Sequence, residues 1–206
     1  MAEPSVIENA SDQQIAIWLH ERLGAALARS HAPIAITIPG GSTPFPILRS
    51  LIEMPLDWQR ITVWPNDDRL VPEDHQASNT GRMRLLVEPA GGHVRSLLES
   101  DQVPHFALSW LGMGADGHVA SLFPNTDPRA DDHQPVRRVT PDPLPPDAPF
   151  DRITLTLPSL LRADELLFVI RGDEKRRVFE AAARGENDLP VARLLASARA
   201  PVTCFT

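Results

Sequence analysis

The strongest constraint on this chain is an alternation. Short apolar runs rich in β-branched residues recur along it, most followed by a glycine- or proline-marked loop and then by a stretch with helical periodicity. "IAITI" (Ile34–Ile38) leads through "PGGSTP" into a helix over 44–51, where Pro44 suits a first helical turn. "RITVW" (60–64) leads into a polar loop and a helix near Asn79–Val87, and "HFALSWLG" (105–112) reads as a strand. "RITLTL" (152–157) is a strand with a short helix after it over 158–163, and "ELLFVI" (165–170) is a strand ahead of the helix "DEKRRVFEAAAR" (173–184). "PVARLLAS" (190–197) adds a helix and "PVTCF" a last strand. Ahead of them all, Ser11 and Gln14 form a capping box for a helix whose apolar stripe is Ile15, Leu19, Leu23 and Leu27, flanked by Trp18 and Ala26. Strands alternating with helices predict an α/β fold with a mostly parallel sheet covered on both faces. In such sheets ligands bind in loops at the carboxyl ends of the strands. The unusual loops here follow strands, which places the chemistry.

At 206 residues the chain fits a single domain spanning 1–206. A formal net charge of −7 argues against a nucleic-acid or anionic-membrane partner while leaving room for a local cationic pocket. The lone Cys204 has no partner for an intrachain disulfide, and no cysteine or histidine spacing fits zinc, so the expectation is a cytoplasmic protein without a metal. "MAEPSVIENA" has neither a cationic start nor an apolar core, so no signal peptide is expected there. No apolar run approaches the roughly 18–20 residues that span a bilayer. Between 124 and 149 there are eight prolines and several aspartates, and a long surface loop without helix or strand is expected.

Three loops and one helix start carry candidate chemistry. In "PGGSTP", Gly40 and Gly41 let the backbone turn and free its N–H groups. With the hydroxyls of Ser42 and Thr43 and a following helix they could hold a phosphate, although a plain strand–helix turn uses the same residues. "NDDR" places Asp67, Asp68 and Arg69 past a strand, where a solvated acidic turn is the simpler reading and a shared strand-end crevice the functional one. Lys175, in the first turn of its helix, opposes the helix dipole unless an anion sits there. "LGMGADGHVASLFP" contains G-x-G-x-x-G, but no helix and second strand follow it and Asp131 and Asp132 follow no strand, so the dinucleotide grip fails on context. The same glycine turn delivers Asp116 and His118 to a strand end, and an imidazole is the side chain suited to activating water near neutrality. Ser121 lacks a G-x-S-x-G elbow, and the histidines at 20, 31, 75, 93, 105 and 133 have no comparable setting.

Five segments, "PGGSTPFPIL", "NDDRLVPEDHQASN", "LGMGADGHVASLFP", "RITLTLPSLLRADELLFVIRGDEKRRVF" and "LPVARLL", occur in the order seen in the 6-phosphogluconolactonase family, which the chain resembles from about residue 34 to 195. The resemblance implies a three-layer α/β/α fold with a mostly parallel Rossmann-like sheet, similar to the aminosugar-phosphate isomerase, ribose-5-phosphate isomerase and CoA-transferase group. It implies hydrolysis of 6-phospho-D-glucono-1,5-lactone in the oxidative pentose phosphate pathway, a small-molecule sugar-phosphate lactone as sole partner, a monomer or homodimer, and no metal or organic cofactor. Carried onto matching positions, Gly40, Gly41, Ser42, Thr43 and Lys175 would hold the phosphate and Arg69 would contact the ligand. His118 would activate water, and Asp67 and Asp116 would line the site, with Asp116 orienting the imidazole.

Two alternatives are a non-catalytic sugar-phosphate-binding protein and an aminosugar-phosphate isomerase/deaminase. The deaminases of this fold group place a carboxylate near the position of Phe123 and a tyrosine at that of Arg69, so these two residues favour the lactonase. The chain departs from the family's pattern at Pro39, where serine is common, and at Asp68, where glutamate is. It departs again in a shortened segment over about 88–105 that lacks a helix, and in the ending "PVTCFT".

Overall fold

A computed structural model describes residues 4–144 and 149–206. The start of the N-terminal segment expected to carry no signal peptide (residues 1–3), and residues 145–148 of the proline-rich stretch, lie outside the described residues. Among the described residues the ten strands are β1 (Ser5–Ile7), β2 (Ile34–Ile38), β3 (Ile61–Pro65), β4 (Asp67–Arg69), β5 (His93–Val94), β6 (Leu108–Leu111), β7 (Val136–Val139), β8 (Arg152–Leu155), β9 (Leu166–Val169) and β10 (Val202–Phe205). The six α-helices among them are α1 (Asp12–Arg29), α2 (Pro44–Ile52), α3 (Asn79–Val87), α4 (Leu157–Leu161), α5 (Asp173–Ala183) and α6 (Pro190–Ser197).

Seven strands form one sheet in the order β1-β10-β9-β6-β2-β3-β5, and every neighbouring pair in it is parallel. Its inner strands are buried on both faces, which is why they read as continuous apolar runs rather than alternating ones. One face packs on α1, α2 and α3 through Ile15, Leu19, Leu48 and Met83, and the other on α4, α5 and α6 through Leu160, Phe179 and Leu194. The Ser11–Gln14 capping box is formed, with Ser11 Oγ accepting from Gln14 N at 3.2 Å and Gln14 Oε1 from Ser11 N at 2.9 Å.

The strand order reverses between β2 and β6. After β2 the chain moves outward to β3, whereas β6 leads to β9 on the other side. The loops leaving the carboxyl ends of β2 and β6 therefore diverge and open a crevice, the switch point where doubly wound sheets bind ligands.

Three features differ from the sequence expectation. The segment over 124–150 is not a structureless loop, since it holds a 3-10 turn at Pro124–Thr126 and the strand β7. The prolines flank "VRRV" instead of interrupting it, and valine at both ends suits a strand. "RITLTL" is a strand, but it lies outside the parallel sheet. As β8 it pairs antiparallel with β7 on one side and with β4 on the other. Asp67–Arg69, expected as a loop, is thus a strand held by backbone pairing despite its three charges. In the shortened segment over 88–105 a 3-10 turn (Glu88–Ala90) and the two-residue β5 take up the space, and no α-helix is present among the described residues there.

Candidate active site

A cavity of about 270 Å³ opens at the switch point. It brings together Gly40, Gly41, Ser42 and Thr43 from the loop after β2, Asp67 and Arg69 from β4, His118 from the loop after β6, and Lys175 from the first turn of α5. Asp116 is not part of the lining and reaches the cavity only through His118. Four elements distant in sequence converge, as the strand-end rule predicts.

At one end, Gly41 turns the backbone with φ of +87°, a conformation costly for any other residue. Among the described residues the N–H groups of Gly40 to Thr43 donate to no protein acceptor. The helix that follows begins Pro44-Phe45-Pro46, so two of its first three residues have no N–H at all.

At the other end a tight turn is closed by Gly117 N donating to Gly114 O at 3.1 Å and Gly114 N to His118 O at 3.0 Å. It folds Asp116 back onto His118, with Nδ1 and Asp116 Oδ1 2.6 Å apart. Gly114 is needed for close approach. A Cβ there would lie 2.2 Å from the imidazole and 2.5 Å from Asp116 Oδ1. The hydrogen bond from His118 holds the Asp116 carboxyl below its ordinary pKa. With Nδ1 engaged, Nε2 is the free basic atom of the ring, and the Phe123 ring packs 4.9 Å from it, centroid to centroid.

Between these ends lies a set of buried charges. Asp67 is buried, and burial pushes its carboxyl above the ordinary carboxylate range, partly opposed by a hydrogen bond from Ser121 and the charge of Arg69. Ser121 Oγ donates to Asp67 Oδ2 at 2.5 Å, so the hydroxyl that failed as a nucleophile from its sequence context is a partner of the acid. Arg69 Nη1 donates to Ala77 O and Asn79 Oδ1, both at 3.0 Å, while its Nε is buried with no partner among the described residues. Asp68 points away from the cavity. It accepts from the N–H groups of Arg69, Asn79 and Thr80 at 2.8, 2.6 and 2.9 Å and from Ser78 Oγ at 3.1 Å, fastening β4 to the start of α3.

Sequence reasoning missed Asn79, Trp110 and Arg171, which also line the cavity. Asn79 braces both Arg69 and the Asp67 carbonyl, to which its Nδ2 donates at 2.9 Å. Arg171 follows a strand end, and that position was the available signal. The lining carries three cations, Arg69, Arg171 and Lys175, against the single buried acid Asp67. An anionic ligand suits such a cavity even though the whole chain is acidic. Among the described residues no group of three or more histidines, cysteines or acids is placed to hold a metal ion.

The model for glucosamine-6-phosphate isomerases/6-phosphogluconolactonase matches residues 8–90 and 87–203. The chain belongs to that family. A 6-phosphogluconolactonase of Pseudomonas aeruginosa is 36% identical, with 88% of this chain and 84% of that protein covered. One from Neisseria meningitidis is 32% identical, with 87% of each covered. The structure of a 6-phosphogluconolactonase from Shewanella baltica superposes with a TM-score of 0.83 at 23% identity over 98% of this chain and 97% of that one. A monomeric glucosamine-6-phosphate deaminase of the NagB superfamily does so with 0.77 at 16% identity, over 98% and 96%. The last two establish a shared fold across both branches of the family. The α/β architecture expected from the alternation is the family's own.

Proposed function

We propose that this chain hydrolyses 6-phospho-D-glucono-1,5-lactone to 6-phosphogluconate, the lactone step of the oxidative pentose phosphate pathway. The observation that carries the reading is the meeting of unpaired loop N–H groups and a histidine–aspartate pair in one cavity. The relatives named for this activity, at 30% identity and above, support it.

The Gly40–Thr43 amides and hydroxyls and Lys175 hold the phosphate. Asp116 accepts from Nδ1 of His118, which fixes the ring's orientation and tautomer so that the Nε2 lone pair takes a proton from a water attacking C1. Negative charge develops on the carbonyl oxygen, and Arg69, a cation on the cavity lining, supplies a preorganised donor for it. Collapse of the tetrahedral intermediate breaks the bond from C1 to the ring oxygen, and the proton held on His118 passes to that oxygen. Burial raises the pKa of Asp67 and so disfavours a second negative charge beside the oxyanion. A cytoplasmic location and a monomer or homodimer go with this reading, the single cysteine being buried and unpaired.

The deaminase alternative needs a further acid, and Phe123 packs on His118 where that acid would stand. The test is the rate of lactone disappearance with and without protein at neutral pH, since the lactone also opens unaided. His118→Ala is expected to lower kcat by about 10²–10⁴-fold with little change in affinity. Wild-type turnover in that variant overturns the assignment of the base. Binding of 6-phosphogluconate without faster lactone loss identifies a non-catalytic binder, and ammonia release from glucosamine 6-phosphate identifies a deaminase.

A further inference from the structure

Arg171 stands two residues beyond β9 and one helical turn before Lys175, and the two side chains line the same cavity. Its Nη2 donates to Asp12 Oδ1 at 2.9 Å, the one hydrogen bond it makes among the described residues. A guanidinium has five N–H donors in a planar fork, so Nη1 and Nε remain free. Asp12 is the first residue of α1, and the formed Ser11–Gln14 capping box fixes that turn. Both partners are more than a third exposed, at 36% and 44%. An ion pair of that exposure adds little to stability. Aiming a guanidinium is a use that does not depend on stability.

The phosphate end of the cavity also lacks donors it would be expected to have. Pro44 and Pro46 remove N–H groups from the start of α2, the place where helix ends usually bind phosphate. Pro39 removes another before the glycines. A phosphate monoester carries close to two negative charges at neutral pH, and Lys175 answers one of them. Arg69, on β4, is tied to Ala77 in the loop before α3 and to Asn79 at the start of α3, elements apart from the β9–α5 turn.

We propose that Arg171 binds the phosphate of the substrate, forming with Lys175 a two-cation clamp facing the glycine loop, and that Asp12 is its positioning residue. The inference rests on the sugar-phosphate reading above and deepens it: the ligand class is a phosphate monoester in its dianionic form. With one Nη2 N–H on Asp12, the forked guanidinium meets two phosphate oxygens through the other Nη2 N–H and its neighbour Nε or Nη1. The first turn of α1, more than 150 residues away in sequence, thereby becomes part of the binding site.

Calorimetric titration of the full chain with 6-phosphogluconate and with gluconate, alongside lactone kinetics, tests this. Arg171→Met is expected to weaken 6-phosphogluconate binding about 10–100-fold, the scale of a lost charge-assisted hydrogen bond. KM rises with it and kcat changes by less than about threefold, because uniform binding is removed. Arg171→Lys restores part of the affinity, and Asp12→Asn produces a smaller loss, about threefold, in the same direction. Arg129→Met, which removes an exposed arginine paired with Asp131 outside the cavity, leaves affinity unchanged and controls for net charge. Equal melting temperatures for parent and variants show that each fold is intact. Should Arg171→Met fail to fold, Arg171→Lys and Asp12→Asn carry the same prediction. Parent-like affinity and KM in Arg171→Met overturn the clamp while leaving the functional reading standing. A parent chain that binds gluconate as tightly as 6-phosphogluconate overturns both.

Discussion

The two sheets of this molecule contribute to the cavity in opposite ways. The seven-stranded sheet keeps its strands apolar and places functional groups in the loops beyond them, so that Gly40–Thr43, His118 and Lys175 stand at strand ends on a core that does not depend on them. The three-stranded sheet puts its charges inside the strands. Asp67, Asp68 and Arg69 make up the whole of β4, and the buried Arg152 of β8 lies opposite Arg69. Burial lowers the Arg152 pKa and raises that of Asp67. In the large sheet, the proposed mechanism assigns catalysis to residues other than those that carry stability. In the small one the proposed mechanism makes them share residues, and substitutions there should change both properties at once.

The largest effect expected from this contrast is that of Asp68→Ala. Its carboxylate accepts four hydrogen bonds, and truncation leaves buried donors on β4 and α3 without partners. The expected loss of stability in urea denaturation is about 3–5 kcal/mol, a large share of what a domain possesses. Turnover should fall as well, because Arg69 and Asn79 lose their fixed positions, although Asp68 does not face the cavity. A loss below about 1 kcal/mol would show that β4 is held by its backbone pairing alone.

Asp67→Asn should move the two properties in opposite directions. The folded chain holds the Asp67 proton more tightly than the unfolded chain, since burial raises its pKa. The stability associated with that group is therefore full below the unfolded pKa and declines as pH rises through the folded one. At neutral pH the native state bears the cost of a buried charge, which asparagine removes while still accepting from Ser121. The melting temperature is expected to rise at pH 7 and to depend less on pH between 4 and 7, with reduced turnover. Unchanged melting curves at every pH would remove the claim that this acid is strained by its burial.

The same division explains what could be read from the sequence. The inner strands of the large sheet announce themselves because burial on both faces demands unbroken apolar runs, and α1 carries its own stripe and cap. His118, the glycine loop and Lys175 follow from one rule about strand ends. β4 is illegible for a physical reason: "DDR" has no strand propensity, and it becomes a strand only because β8 pairs with it and α3 offers N–H groups to Asp68. β7 was hidden by the prolines around it, β1 by its three exposed residues and β5 by its length of two. Asn79 was legible as a helix start but not as the brace of Arg69, since that contact exists only once β4 and α3 have met.

The smallest stability effect and the clearest separation should come from Asp116→Ala, in a loop of the large sheet. The hydrogen bond from His118 depresses the carboxyl pKa, so its contribution to stability is present above the ordinary value of 3.8 and is lost as pH falls through the lower folded value. The side chain is half exposed, at 51%, and solvent screening keeps that contribution within about 0.5 kcal/mol. Denaturation at neutral pH should therefore hardly change. Turnover should fall by at least about tenfold, because the imidazole loses the acceptor that holds its orientation and tautomer while keeping Nε2 in the cavity. A variant with parent turnover would mean that the glycine turn alone aims His118, through the packing of its ring on Gly114 and Phe123. A variant destabilised as much as Asp68→Ala would mean that the loops of the large sheet are no more expendable to the fold than the strands of the small one.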